Sequence, residues 1–374
     1  MKWNWQCEAW PHFIWDKAVL DDFEAKFLHK AGMLHGALKF LAQQDKELLI
    51  VELISAEAIK TSEIEGEFLN RESMQSSIKK NFRFITGGKR ISPAEQGISE
   101  MMVDLYHTFS EPLTHDKLFS WHDMLTKGRR DLSDVGCYRT HEDAMLVVSG
   151  SIHKPNIHFE APPSDQMSHE MDQFVDWFNE TMPCQKETLP PLTRAGIGHL
   201  YFVCIHPFED GNGRIARGIS GKILSQSLGE PILLALSQTI QSAKKAYYQN
   251  LELNNKELDI TKWLEYFAQT ILDAQEYSLQ LIGFLIAKTR FFDRLKGQFN
   301  ERQEKAISRM FREGLEGFKG GLSAENYINI TKTSRATATR DLHGLVDMGA
   351  LRRTGERRYT RYTLNLDNMD WQTL

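Results

Sequence analysis

The sequence predicts a mainly α-helical protein with one small β-hairpin and, at its C-terminal end, a helix-turn-helix followed by a β-wing. Three observations predict it. Apolar residues such as Phe23, Phe27, Leu34, Leu38 and Leu41 recur at three- and four-residue steps, and no proline falls between Pro11 and Pro93, so long helices are allowed. The β-rich pieces 145–148 and 157–159 are set off by Ser149-Gly150-Ser151 and Lys154-Pro155-Asn156, a hairpin signal. Beyond Leu322, a helix (323–329), a turn (330–333) and a second helix (334–348) lead into 349–364, which alternates about Thr354-Gly355.

The bulk properties are those of an ordinary globular chain. At 374 residues, 41% apolar and 25% charged, it has room for two or three domains with stable cores. A net charge of −5 gives no global sign of nucleic-acid binding, so any basic patch must be local. Cys7, Cys137, Cys184 and Cys204 show no paired spacing and read as reduced thiols. Tryptophans and Asp16 stand where a secretory signal needs an apolar run, and no segment approaches the ~20 apolar residues that span a bilayer. The expectation is a soluble cytoplasmic protein with no membrane contact.

The chemistry is concentrated in residues 206–217, His-Pro-Phe-Glu-Asp-Gly-Asn-Gly-Arg-Ile-Ala-Arg. Gly211 and Gly213 permit backbone conformations and close approaches closed to other residues. The amides that follow open a helix, where unpaired N–H groups and the dipole favour an anion. Asn212 can donate to a phosphate oxygen, Asp210 is a hard oxygen ligand suited to Mg²⁺, and Arg214 and Arg217 share a helix face. His206 is the one group here able to take a proton near neutral pH. Each residue alone could belong to a cap or a tight turn, but all eight polar and glycine positions together argue for a nucleotide phosphate. The spacing is neither a Walker loop nor a dinucleotide fingerprint, and His206 lacks a second ligand at zinc spacing.

This stretch resembles the signature of the Fic family, His-x-Phe-x-Asp/Glu-Gly-Asn-Gly-Arg-x-x-Arg, at every fixed position. The resemblance implies an all-helical Fic core and transfer of AMP from ATP to a hydroxyl of a target protein, with self-modification as one form of it. It implies His206 as the general base, Asp210 as the Mg²⁺ ligand, and Asn212 with the Gly211 and Gly213 loop amides at the α-phosphate. Arg214 and Arg217 take the β- and γ-phosphates. A homodimer is the family's habit.

Other stretches take meaning beside that one. Half of the eight tryptophans, Trp3, Trp5, Trp10 and Trp15, lie in the first twenty residues and read as a clasp holding the N-terminal segment to the body. Thr61-Ser62-Glu63-Ile64-Glu65-Gly66 could be a plain helix end closed by glycine. It also resembles the inhibitory motif Ser/Thr-x-x-x-Glu-Gly/Asn of some Fic proteins, which implies that Glu65 pairs with Arg217 in place of the γ-phosphate. Residues 85–97 read as a breaker-rich loop before the core, and His107, His115 and His122 as surface or capping histidines. The hairpin is either a structural brace or, by resemblance, a flap that holds a target segment, with Val147, Val148, Ser149 and Gly150 lining the nucleotide or target cleft. Tyr247 and Tyr248 are either core aromatics or, by resemblance and with Asn255, adenosine contacts.

The expected division is 1–90 (N-terminal helical region with the inhibitory motif), 91–290 (catalytic core) and 291–374 (linker and winged helix). The last resembles a winged helix-turn-helix, with Ser334, Arg335, Thr337, Thr339 and Arg340 on the recognition helix and Arg357, Arg358 and Arg361 near the wing. Two functional classes follow: a self-inhibited Mg²⁺-dependent protein adenylyltransferase, or a DNA- or partner-binding regulator whose winged helix acts. Within the first class the core could also move another nucleotide group, or remove AMP with Glu65 activating water.

Overall fold

The computed structural model describes residues 2–39, 41, 43–85, 91–151, 154–318 and 320–366. It is mainly helical, with two small antiparallel hairpins among the described residues. The elements in order are α1 (Asp21–Lys39), α2 (Gln43–Ile64), α3 (Arg71–Asn81), α4 (Pro93–Thr108), α5 (His115–Leu125), β1 (Leu146–Ser151), β2 (Lys154–Glu160), α6 (Met167–Glu180) and α7 (Pro191–Ile205). They continue with α8 (Asn212–Leu228), α9 (Leu236–Ser242), α10 (Lys244–Leu253), α11 (Thr261–Arg294), α12 (Glu301–Arg312), α13 (Ala324–Thr331), α14 (Arg335–Asp347), β3 (Leu351–Thr354) and β4 (Arg361–Leu364). The chain forms two compact units, 1–36 with 50–277, and 37–49 with 278–374. No helix among the described residues is long and apolar enough to cross a membrane.

In the first unit, α7 is the central element: nearly every residue from Leu192 to Ile205 is buried, including Arg194 and His199. Such a helix has no solvent face, so its neighbours must supply its polar partners. Arg194 donates to Thr181, Gln226 and the Phe178 carbonyl. The N-terminal tryptophans clasp this body as expected: Trp3 meets Phe159 edge-on at 5.3 Å, Trp5 Nε1 donates to the Glu160 carbonyl, and Trp10 packs on Tyr201. The four cysteines are unpaired.

Several boundaries differ from the sequence reading. Ser92-Pro93, read as part of a loop, opens α4: Ser92 Oγ caps the Glu95 amide, the Glu95 carboxylate returns to the Ser92 amide, and Pro93 takes the first helical position, where no N–H is needed. Residues 86–90 of that loop lie outside the described residues. Ser149, Gly150 and Ser151 and Lys154-Pro155-Asn156 are not separators but strand residues, paired Ser149 to Asn156 and Gly150 to Pro155, with a register shift between Val147 and Val148.

The second unit has its own core of Phe291, Leu295, Ile307, Met310, Phe311, Leu322, Tyr327, Leu342, Leu345, Leu351 and Tyr362. Residues 301–312, read within a linker, are the packed amphipathic helix α12, capped by Asn300. Asp341 is nearly buried and accepts from Arg302, Asn300 and Tyr327, which locks α14 to α12 and α13. Leu322 bridges Tyr362 beside the β3–β4 hairpin. Gly355 turns that hairpin with φ 71°, and a Cβ there would meet the Tyr359 carbonyl oxygen. Of the predicted contact residues, Arg335, Thr339, Arg340 and Arg357 are exposed; the side chain of Arg358 lies outside the described set.

Candidate active site

The signature folds into the turn between α7 and α8. α7 stops because His206 takes a left-handed conformation, φ 52° and ψ 58°, as its C-cap. Two glycines then do different work. Gly211, φ 84°, is the N-cap of α8 and supplies no side-chain cap, so the first amides of the helix lack a side-chain partner. Gly213 is bare because Glu65 lies against it: a Cβ there would come within 3.1 Å of Arg217 Nη1 and closer still to Glu65 Oε1.

His206 is half-buried. Its Nδ1 is 3.1 Å from the Val203 carbonyl, which can only accept, so Nδ1 carries the proton and Nε2 holds the free lone pair. Burial first, then the charge of Arg139, push its pKa down to about 4, leaving the ring neutral and able to accept a proton. The Arg139 guanidinium donates to the His206 carbonyl at 2.9 Å.

Asp210 is half-buried at the corner of the loop. Burial would raise its pKa, but Arg214, the Gly211 amide and Arg129 together hold it below the usual range. Arg129 reaches it at 2.6 Å and Arg214 at 3.3 Å. Glu209 caps the Ser133 and Asp134 amides instead of facing the site. Among the described residues no group of three His, Cys, Asp or Glu could hold a metal unaided.

The two arginines of α8 are buried and both meet carboxylates from the turn just beyond α2. Arg217 donates to Glu65 at 2.6 Å, to the Thr61 hydroxyl at 2.7 Å and to the Thr61 carbonyl at 3.0 Å. Burial works against its charge, and the Glu65 carboxylate holds that charge in place, so its pKa ends raised. The pairing expected of Glu65 with Arg217 is therefore present. Arg214 pairs with Glu67 at 3.2 Å, a contact the sequence reading missed, and its buried Nε has no hydrogen-bond partner among the described residues. The α2 end is also fastened to α9 and α10: Gln241 donates to Glu63, Lys244 to the Ile64 carbonyl, and Ser237 to Glu57.

Other predicted positions behave differently. Asn212 spends both ends on Phe208, accepting from its amide at 3.0 Å and donating to its carbonyl at 2.7 Å. This clamp shapes the loop. Tyr247 is a core residue: its hydroxyl meets His199 at 2.7 Å and only 2% of it is exposed, so its ring is not open for stacking. Tyr248 is 39% exposed and remains available. Asn255 is buried and donates to the His158 carbonyl, fastening the hairpin. On that hairpin Val147 is half-buried, Val148 is exposed, Ser149 meets His158 at 2.6 Å, and Gly150 has φ 95°. His122, read as a surface or capping residue, is fully buried and stacks on Phe208 at 4.2 Å. It accepts from the Gly136 amide, and burial pushes its pKa down to about 4.

Comparison with known proteins agrees with this geometry. Residues 112–224 match the Fic/DOC family, and residues 3–84, which include Glu65, match a domain of unknown function, DUF4172. The chain is 28% identical over 158 residues to the Caenorhabditis elegans protein adenylyltransferase fic-1, covering 41% of this chain and 27% of that protein. It is 32% identical to the Drosophila grimshawi protein adenylyltransferase Fic, covering 42% and 29%. The chain thus spans less than a third of the length of either relative. In fold it is similar to a Fic family protein from Desulfovibrio desulfuricans, with TM-score 0.54, 19% identity and coverage of 96% of this chain and 99% of that one. It is also similar to C. elegans Fic-1, with TM-score 0.50, 20% identity and coverage of 73% and 74%. Signature, fold and family model coincide on the α5–α8 region: over residues 112–224 this chain carries a domain of the Fic/DOC family.

Proposed function

We propose that the chain is a protein adenylyltransferase that moves AMP from ATP to a hydroxyl side chain of a target protein, itself included, and that Glu65 holds it off. One observation carries this: the place where α8 presents free amides and the Arg217 guanidinium holds a carboxylate supplied by the chain itself. A buried arginine favours an anion, and the Glu65 side chain is 29% exposed at the rim, where a phosphate can displace it. The unpartnered Nε of Arg214 suits a phosphate oxygen as well.

The chemistry assigned to the chain's own groups is then direct. His206 Nε2 takes the proton of the target hydroxyl as its oxygen attacks the α-phosphorus. The bond to the bridging β-phosphate oxygen breaks, and pyrophosphate leaves against Arg214 and Arg217. Tyr248 is the open aromatic for the adenine; Val147 to Gly150 on the hairpin receive the target segment. Asp210 fits Mg²⁺: it is an ionised, solvent-accessible single carboxylate, and this ion commonly takes one or two carboxylates plus phosphate oxygens. Bound there, the ion would offset phosphate charge.

The test uses ATP labelled on the α-phosphate with Mg²⁺ and three proteins: parent, Glu65→Gly and Glu65→Gly/His206→Ala. Label retained on protein in the Glu65→Gly sample alone supports transfer, base and brake together. Release of AMP from a labelled target by the parent would favour removal, with Glu65 activating water. A second reading, DNA binding by the α14 unit, is favoured by the exposure of Arg335 and Arg340. Assembly as a homodimer is part of the proposal.

A further inference from the structure

We propose that Arg139 is a positioning residue for this reaction: it holds His206 in its left-handed conformation and ties it to the root of the β1–β2 hairpin. The inference rests on the reading of His206 as the base.

Arg139 is 1% exposed, and its hydrogen bonds go to neutral acceptors. Nε donates to the His206 carbonyl at 2.9 Å, Nη1 to Ser164 Oγ at 2.7 Å, and Nη2 to the Pro162 carbonyl. Its own amide donates to the Pro207 carbonyl at 2.9 Å. Among the described residues no carboxylate pairs with it within ion-pair distance, and burial lowers its pKa to about 10. A desolvated cation spent on backbone oxygens is costly unless it fixes something the fold needs. Here it fixes a peptide that the chain does not favour. His206 has φ 52°, the left-handed conformation that a residue with a Cβ disfavours. α7 would otherwise end its turn with the carbonyl elsewhere and the imidazole re-aimed.

The other two acceptors lie just beyond β2, before α6, where the hairpin rejoins the helical body. One planar fork therefore sets the base and the hairpin root in register. A target segment laid along the hairpin would thus present its hydroxyl to a histidine placed from the same guanidinium.

Charge gives a second handle. Burial lowers the pKa of His206 most and the Val203 carbonyl raises it; of the charged groups that act on it, Arg139 lowers it, and Glu65 and Asp210 raise it. Lysine keeps the charge and loses the fork, whereas methionine loses both.

The experiment compares Arg139→Lys and Arg139→Met in the Glu65→Gly protein, reading label transfer and, by NMR, the titration of the His206 ring. The expected result is a fall in kcat of about a hundredfold in both, the cost of a roughly 1 Å misplacement, with KM for ATP little changed. The His206 titration should move to higher pH in Arg139→Met and stay near the parent value in Arg139→Lys. Full kcat in either folded variant, a parallel loss of ATP affinity, or an unmoved titration in Arg139→Met would overturn the proposal. Should Glu65→Gly transfer no label, the functional reading fails, and the titration alone still decides the role of Arg139. Should Arg139→Met not fold, the kcat and KM of Arg139→Lys decide it.

Discussion

Helices α8 and α14 each carry two arginines and treat them in opposite ways. α8 begins at Gly211 with no side-chain cap, and its arginines, Arg214 and Arg217, are buried and paired with carboxylates from the segment just after α2. α14 begins at Ser334, whose hydroxyl caps the Thr337 amide, and Arg335 and Arg340 point to solvent. The first is an anion site completed by tertiary structure, with donors left open and charge desolvated. The second is a solvated basic surface, with its N-terminal amides already served. Desolvation separates them: a buried guanidinium binds its anion strongly, and an exposed one is screened.

The sharpest break in that comparison is His206→Ala in the Glu65→Gly protein. Label transfer should drop between about a hundredfold and ten-thousandfold, the range for losing a general base. Retained transfer would mean that the α8 site binds without His206 doing chemistry. Next is Glu65→Gly itself, expected to raise transfer on the order of a hundredfold by letting the γ-phosphate reach Arg217. The same change leaves Arg217 buried without its carboxylate, so the melting temperature should fall and ATP should restore it more than in the parent. Equal ATP shifts in the two proteins would show that Glu65 does not compete with nucleotide.

Glu67→Gln should raise transfer no more than about fivefold, because the Arg214–Glu67 contact is longer and partly exposed. A rise matching Glu65→Gly would make Glu67 an equal brake. In pH, the Glu65→Gly rate should stay level from about pH 8 to about pH 5 and fall only below that, because His206 has a pKa of about 4 in the parent and loses in this variant a carboxylate that raises it. The sign follows from burial: the lowered pKa keeps the base neutral well below the usual histidine range, and an acid limb near pH 6.5 would contradict it. The smallest effect is on α14. Arg335→Ala with Arg340→Ala should lower the log–log salt slope of DNA retention by about two while leaving label transfer unchanged, and an unchanged slope would exclude these arginines as phosphate contacts.

How much of this could be read from sequence depended on the distance along the chain over which the information is held. The turn from His206 to Arg217 is local, and its glycines, caps and arginines were legible. The Glu65–Arg217 pair spans 152 residues and was legible because both ends carry motifs. Glu67 and Arg139 carry none, and their partners lie 147 and 67 residues away. Tyr247 shows the converse: the residue type suits a nucleobase, but the fold buries it against His199. Ser92-Pro93 reads as a breaker until the Glu95 carboxylate returns to close the cap.

The sequence by itself determined the helical class, the two hairpins and the glycine-rich turn, because periodicity, caps and glycines act over a few residues. Only the tertiary structure decided which groups are desolvated and what faces them. It buried Arg217 against Glu65, left His206 Nε2 free and neutral, and spent Arg139 on backbone carbonyls. Burial sets both the strength of a charge pair and the protonation state of a base, and burial depends on packing between segments far apart in the chain.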